Sequence, residues 1–345
     1  MTDPRGIVRR LTFNASGYPL TDTLAFGLPE AQTFTYERDP DPAKGDQVRA
    51  VVDPLGRRTE YDYDGYGNVI AIRRLAGTAE QITSTMTYEP CVFDTPSGFC
   101  RLTGVTPSTA TTDGRVTIGY SGLTETTITD PRGQTPTVSY NAVGQPTQVL
   151  GALGPPALLY GYTGPELTSV TDRLGRTTTR SYDAGGRMVS QTDPAGRTTH
   201  YLYSAVNRLV AVGNAGGGVT RFTYDANGNL LSVKDALGHT TTYVYDALNR
   251  LERRTDPLGK HETFQYDGNG NLIQHTDRKG QVTTFSYDGL DRLIGTTGVG
   301  YTVTRTWDAG NRLTQVVDSV GGTVARAWDL LDRLTTETTA LTARP

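Results

Sequence analysis

Residues 245–293 read YDALNRLERRTDPLGKHETFQYDGNGNLIQHTDRKGQVTTFSYDGLDRL, and two punctuation marks return in them every 21 residues. One is an aromatic followed by Asp, at Tyr245-Asp246, Tyr266-Asp267 and Tyr287-Asp288. The other is an Asp-led turn ten residues before the next aromatic, at Asp256-Pro257-Leu258-Gly259 and Asp277-Arg278-Lys279-Gly280. Asp and Pro favour the opening positions of a turn, and Gly accepts the positive φ that closes it. Between the turns the pattern has period two: Tyr243 and Tyr245 share a face, as do Phe264 with Tyr266 and Phe285 with Tyr287. That is strand alternation, and it predicts two strands and two turns per repeat.

The same register runs outward in both directions. Downstream lie Trp307-Asp308 and Trp328-Asp329, and upstream Tyr224-Asp225, Tyr203-Ser204 and Tyr182-Asp183. An apolar residue follows each pair at a fixed distance, as in Met188, Leu209, Leu230, Leu251 and Leu272. In the first half Asp3-Pro4-Arg5-Gly6 leads to Phe13, Asp53-Pro54-Leu55-Gly56 to Tyr63, and Asp130-Pro131-Arg132-Gly133 to Tyr140, again ten residues on. With Tyr36, Tyr88, Tyr120 and Tyr162 included, residues 1–345 read as a single array of about 15 repeats, with one enlarged repeat at 89–119. Neither end carries a capping pattern, so the array is expected to be a fragment of something longer.

Composition agrees with a β-rich, turn-rich chain and narrows its chemistry. The 345 residues include 40 Gly and 19 Tyr but only 8 Phe, and 36% are hydrophobic, too few for one large solid core. Lys and Arg number 33 against 36 Asp and Glu, a balance that argues against nucleic acid as a partner. No window has the apolar length of a membrane-spanning helix or of a signal peptide. Cys91 and Cys100 are the only cysteines. They cannot form a disulfide framework or a four-thiolate zinc site, and whether they bridge each other is left open.

The Tyr-Asp-x-x-Gly-Asn/Arg-Leu core, as in Tyr266-Asp267-Gly268-Asn269-Gly270-Asn271-Leu272, together with the Asp-Pro-x-Gly turns between cores, resembles the YD (Rhs) repeat family. The resemblance covers essentially residues 1 to 340. It implies an all-β fold in which hairpins build a long, spiralling sheet, the wall of a hollow shell, as in bacterial Rhs toxins, the cocoon component of insecticidal toxin complexes and the teneurin adhesion receptors. It also implies a structural, non-catalytic role in enclosing a toxin or unfolded polypeptide, and a secreted or cell-surface location. Toxin-type members end in an aspartyl self-cleavage region and a variable toxin. No such segment is recognisable here, so cargo and self-processing are not expected within this chain.

The geometry is consistent with that implication. Thirty strands at about 4.8 Å make roughly 140 Å of sheet, a circle roughly 45 Å across if wound once, too wide for side chains to fill. Stability is expected from aromatic ladders and cross-strand pairs between neighbouring repeats.

The repeated Tyr-Asp reads as an anchor whose ring stacks on its neighbours and whose Asp caps the turn. Asp225-x-Asn227-x-Asn229 and Asp267-x-Asn269-x-Asn271 open like calcium loops but lack the Gly and Glu that complete one, so they read as turns. His200, His239, His261 and His275 form no metal-binding motif, and Gly119-Tyr120-Ser121-Gly122 has the wrong spacing for a nucleophile elbow. No catalytic, cofactor-binding or metal residue is assigned, and no cofactor. The expected partners are an enclosed polypeptide or neighbouring shell segments, with self-association through exposed edge strands. A rival reading makes the rows of Tyr, Thr and Asn a carbohydrate- or protein-binding adhesion module. A β-propeller, with two repeats per blade, is disfavoured because no two-repeat rhythm is sustained.

Overall fold

The computed structural model describes residues 1–89, 100–107, 115–121, 124–151 and 154–341. Among the described residues it has thirty strands of 4 to 10 residues, all in one antiparallel sheet, and one 3-10 turn at Pro42–Lys44. The chain forms two compact units: Met1–Ser84 with Asp246–Arg254 and Lys260–Pro345, and Thr85–Tyr245 with Thr255–Gly259. Most of the enlarged repeat at 89–119, Cys91 included, lies outside the described residues, and Cys100 is disulfide-bonded.

One repeat of the second unit shows how the sequence dictates the fold. Val219–Tyr224 pairs with Leu230–Lys234, which pairs with Thr240–Tyr245. The two joining turns have the same backbone. Asp225 N–H donates to Asn229 O at 3.0 Å while Gly228 closes the turn at φ 100°. Asp235 N–H donates to His239 O at 2.9 Å while Gly238 closes at φ 92°. The left-handed residue is required by this turn, and where Gly is missing Asn or Asp fills the place, at Asn207, Asn249, Asp291, Asn311 and Asp332.

The hairpins differ in register. On the Tyr-Asp side the pairing slips by one residue just before the aromatic, as between Thr223 and Tyr224, which places Tyr224 opposite Leu230. On the Asp-Pro side it runs without a slip, Ser232 opposite Thr242 through Lys234 opposite Thr240. The same bulge recurs at Ser181/Tyr182, Leu202/Tyr203, Ser286/Tyr287 and Ala327/Trp328, so these repeats receive the same local twist.

There is almost no core. Among the described residues the buried apolar side chains are Ala25, Ala50, Ala71, Leu75 and Ala76. The chain exposes 20835 Å², against about 13,700 Å² for a compact monomer of this mass. Side chains on the aromatic face are half-buried by their neighbours, while the other face is open: in Thr198–Tyr203 Tyr201 and Tyr203 are half-buried, and Leu202 is 61% exposed. Stability is therefore spread along the sheet as a sum of neighbour terms.

Candidate functional site

The Tyr-Asp pair is a structural device repeated along one rim. Asp246 Oδ1 accepts the N–H groups of Leu248 and Arg250 at 2.9 and 3.0 Å, and Oδ2 accepts Arg250 Nε at 2.7 Å. The Arg187 guanidinium, then its N–H, holds the Asp183 carboxyl below the ordinary carboxylate value. In both calcium-like segments the carboxylates serve the turn in the same way: Asp225 Oδ1 accepts Asn229 N–H at 2.9 Å, and Asp267 Oδ1 accepts those of Asn269 and Asn271 at 2.9 and 2.8 Å.

The aromatic half works differently from the expected ring-on-ring ladder. Each hydroxyl reaches back across one strand to a main-chain carbonyl: Tyr182 to Leu167, Tyr203 to Met188, Tyr224 to Leu209 and Tyr266 to Leu251, at 2.8 to 3.0 Å. Trp307 and Trp328 do the same with their indole N–H, donating to Leu293 and Leu313. Ring faces meet guanidinium groups, Arg250 over Tyr266 at 4.8 Å and Arg187 over Tyr203 at 5.3 Å. The reason is spacing. Successive anchors stand two strands apart, roughly 9.6 Å, beyond the roughly 4.5–7 Å at which rings stack. The arginines then lace each turn to the next: Arg250 Nη1 donates to Asp267 O at 2.8 Å, and Arg292 Nη1 to Asp308 O at 3.0 Å.

Within the first unit a second set of contacts joins residues 259 to 286 positions apart, from turn to turn. Arg5, in the turn Asp3–Gly6, sits between two Tyr-Asp turns: its Nη1 donates to Asp288 O at 3.1 Å and its Nη2 pairs with Asp291 at 2.6 Å in one, and its Nε lies 3.8 Å from Asp267 Oδ2 in the other. Asn269 Nδ2 donates to Asp3 at 2.6 Å, and that amide is the leading cause holding the Asp3 carboxyl below its ordinary value. Glu30 accepts Gly289 N–H at 2.6 Å, and the amides of Gln32 and Asn311 pair at 2.8 and 3.2 Å. Arg57 bonds Leu330 O at 3.1 Å and Asp332 at 2.6 Å. Glycines make room: a Cβ on Gly289 would lie 2.6 Å from Leu28 and Glu30, and one on Gly310 2.6 Å from Leu55. In the turns Asp183, Ser204, Asp225 and Asp246 the place of Gly289 is held by Ala184, Ala205, Ala226 and Ala247. This seam is a site that repeat-by-repeat reading missed.

A cleft of about 1040 Å³ opens in the same unit where one turn is lengthened. Instead of the usual tight turn, the chain between Arg38 and Val48 runs through Asp39–Asp46, with the 3-10 turn inside it. One wall is tied by Lys44 to Asp39 at 3.1 Å, and the other is the turn capped by Asp64, which accepts the N–H groups of Tyr66 and Asn68 at 2.9 Å. Tyr61 and Tyr63 line the cleft, Tyr66 stands 65% exposed at its lip, and burial raises the Tyr63 hydroxyl above its ordinary value. Among the described residues, no hydrogen bond engages the side chains of Gln47, Arg49 or Tyr61.

The histidines do not gather. His239 Nδ1 lies 3.0 Å from Asp235 within its own turn. His275 stacks on Phe264 at 4.9 Å and meets Glu262 at 3.2 Å, while Glu262 also pairs with Arg254 at 2.6 Å. Among the described residues no three or more His, Cys, Asp or Glu side chains converge as a metal-ion shell.

The RHS Repeat family profile matches residues 43–79, 163–198, 185–219, 203–235, 224–261 and 266–306, which together span 177 of the 345 positions. The chain belongs to the RHS repeat family. No curated protein matches this RHS repeat chain in sequence. Among solved structures it resembles TcdB2-TccC3-TEV, with a TM-score of 0.69 and 14% identity, and TcdB2-TccC3 without the hypervariable C-terminal region, with a TM-score of 0.70 and 14% identity. It also resembles the Photorhabdus luminescens Tc holotoxin pore, at 0.56 and 17%. These alignments cover 96 to 97% of this chain but 20 to 21% of the others, so the RHS repeat chain spans about a fifth of their length. At these identities the likeness is one of fold, and it agrees with the all-β hairpin array expected from the repeat.

Proposed function

We propose that this chain is a non-catalytic stretch of the wall of a longer Rhs-repeat shell that encloses a toxin or unfolded polypeptide, in a secreted or cell-surface protein. The observation that carries the proposal is the turn-to-turn seam of the first unit. A rim of Asp-Pro turns at Asp3 and Asp53 is received by the rim of Tyr-Asp turns at Asp267, Asp288, Asp308 and Asp329, about twelve repeats later. A sheet whose rims bond to each other is built to wind beside itself, and winding hides the edges that would otherwise aggregate. The near absence of buried apolar side chains supports a wall rather than a solid body. In this reading residues 1–345 are one array and its function is confinement, so no side chain acts chemically. Electron microscopy of the longer parent protein tests it: an internal void filled by a protease-resistant segment is expected, and a parent without a void overturns it.

One observation favours a second reading, a saccharide-binding module. The cleft at the lengthened turn combines an exposed ring, Tyr66, with Gln47, Arg49 and Tyr61, whose side chains no hydrogen bond engages among the described residues; such groups bind a neutral sugar by stacking and hydrogen bonding. Titration calorimetry against neutral oligosaccharides tests it: binding abolished by Tyr66→Ala supports the reading, and no heat for any of them sinks it.

A further inference from the structure

The seam contains a knob and a socket that recur elsewhere in the chain, where their tips are exposed. The knob is Asp53-Pro54-Leu55-Gly56-Arg57. Its Leu55 packs on Gly310 of the socket Asp308-Ala309-Gly310-Asn311-Arg312, and Arg57 reaches the next turn of the same rim, at Leu330 O and Asp332. Docking leaves Leu55 half-buried and the Arg57 side chain 17% exposed.

In the second unit Asp172-Arg173-Leu174-Gly175-Arg176 repeats the knob. Its internal geometry is the same: Asp172 Oδ1 accepts the N–H groups of Leu174 and Arg176 at 2.8 and 3.0 Å, and Arg176 Nε bonds Asp172 Oδ2 at 2.7 Å, as Arg57 Nε bonds Asp53 at 2.6 Å. Here, however, Leu174 is 76% and Arg176 63% exposed. The same rim presents Leu237 and Leu258 at 83% and 85% exposure, three and four repeats along. An array of exposed leucines at turn tips has no local purpose, since the turn is complete without them.

The socket recurs as Asp183-Ala184-Gly185-Gly186-Arg187, which has the Ala and Gly of the occupied socket at the same places. A Cβ on Gly185 would meet only Asp183 and Arg187 of its own turn, so the hollow that Leu55 fills at Gly310 is open at Gly185. The following turn, Ser204–Asn207, has a carbonyl at Ala205 and the Asn207 amide oxygen, which accepts Arg187 Nη1 at 2.7 Å as Asp332 accepts Arg312 Nη1 at 3.1 Å beside Arg57; they are the counterparts of Leu330 O and Asp332. Knob and socket rims recur with the same two-strand pitch, roughly 9.6 Å, because they are opposite rims of one kind of sheet, so docking at one turn brings the neighbouring turns into register.

We infer that the knob at Asp172–Arg176 and the socket at Asp183–Asn207 form a docking surface for a second copy of this chain, Leu174 of one copy seating on Gly185 of the other and Arg176 reaching Ala205 O and Asn207. The inference extends the seam chemistry behind the shell reading to contacts between molecules. The contact is heterologous, so each copy keeps one free knob and one free socket and assembly is open-ended.

The test is sedimentation velocity over a concentration series of wild type, Leu174→Glu and Gly185→Arg. Both substitutions sit at exposed turns, and Gly185 is not in the left-handed region, so circular dichroism is expected to show unchanged folds. Wild type is expected to grow beyond 37.3 kDa in multiples of the monomer, while each variant alone stays monomeric. An equimolar mixture of the two is expected to stop at a dimer, since it restores one good knob facing one good socket. Wild type that stays monomeric, or variants that associate like wild type through strand edges, would overturn the inference. The shell reading fails separately, on a parent protein without a void, whatever this chain does alone.

Discussion

The anchor hydroxyls offer the sharpest test of how a sheet without a core is held. Tyr182, Tyr203 and Tyr224 donate to the carbonyls of Leu167, Met188 and Leu209 at 2.8, 3.0 and 2.9 Å, all within the second unit. Replacing each by Phe keeps the ring and its burial, with the Arg contacts of Tyr203 and Tyr224, and removes one hydrogen bond of about 0.5–1.5 kcal/mol. The three positions are roughly 9.6 Å apart, far enough for additivity, so the triple variant is expected to lose about 1.5–4.5 kcal/mol. At about 2–4 °C per kcal/mol for a body of this size, that is a fall of roughly 3–18 °C in melting temperature. Tyr201 is the internal control: it shares the half-buried face, yet no hydrogen bond engages its hydroxyl among the described residues, so Tyr201→Phe is expected to change stability by less than about 0.5 kcal/mol. Urea denaturation followed by circular dichroism, with unchanged slopes, measures both. A triple variant within about 0.5 kcal/mol of wild type, or a Tyr201 variant as costly as a single anchor, would refute the claim that the hydroxyls hold the repeats together.

Three further outcomes follow from the same geometry. Gly289→Ala drives a Cβ to 2.6 Å from Leu28 and Glu30 and is expected to cost about 1–3 kcal/mol, whereas Gly185→Ala meets only its own turn and is expected to cost far less; urea midpoints of the two compare them directly. Asp246→Asn keeps the acceptor for Leu248 and Arg250 N–H and loses only the ion pair with Arg250, so its melting temperature should lie between wild type and Asp246→Ala, and equal losses would contradict the capping role. The turn carboxylates, among them Asp183, Asp193, Asp246, Asp277 and Asp329, sit below their ordinary values in the fold, so their contribution is present above the unfolded value of about 3.9 and is lost as pH falls through the lower folded values. Melting temperature should therefore fall steadily in acid below about pH 4, and a flat profile down to about pH 2.5 would count against it.

What the sequence disclosed and what it withheld divide along a physical line. Strands, turns and the capping Asp were legible because each is decided within a few residues: Asp225 finds Asn229 and Gly228 locally, and Tyr243 and Tyr245 declare a face by alternation. The anchor hydroxyl was legible only in part. Its acceptor lies 15 residues back, reached through the register that the bulge sets, and the 9.6 Å spacing that forbids ring stacking could have been worked out from the repeat alone. His275 beside Glu262 follows from the same register, since Phe264 faces His275 across the strands. The cleft had a visible signal as well, a turn too long for its place between Tyr36 and Asp53. The seam is of another kind, because Arg5 and Asp288 are 283 residues apart and no local propensity links them. Its trace in the sequence is negative: Gly268 and Gly289 stand where four earlier repeats carry Ala, and a missing methyl that strand and turn geometry do not need is accounted for by another turn pressed against it. The same logic applies in reverse to Leu174. A large apolar residue that its own turn does not use, at a place where Leu55 is used by a neighbour, marks the free half of the same contact.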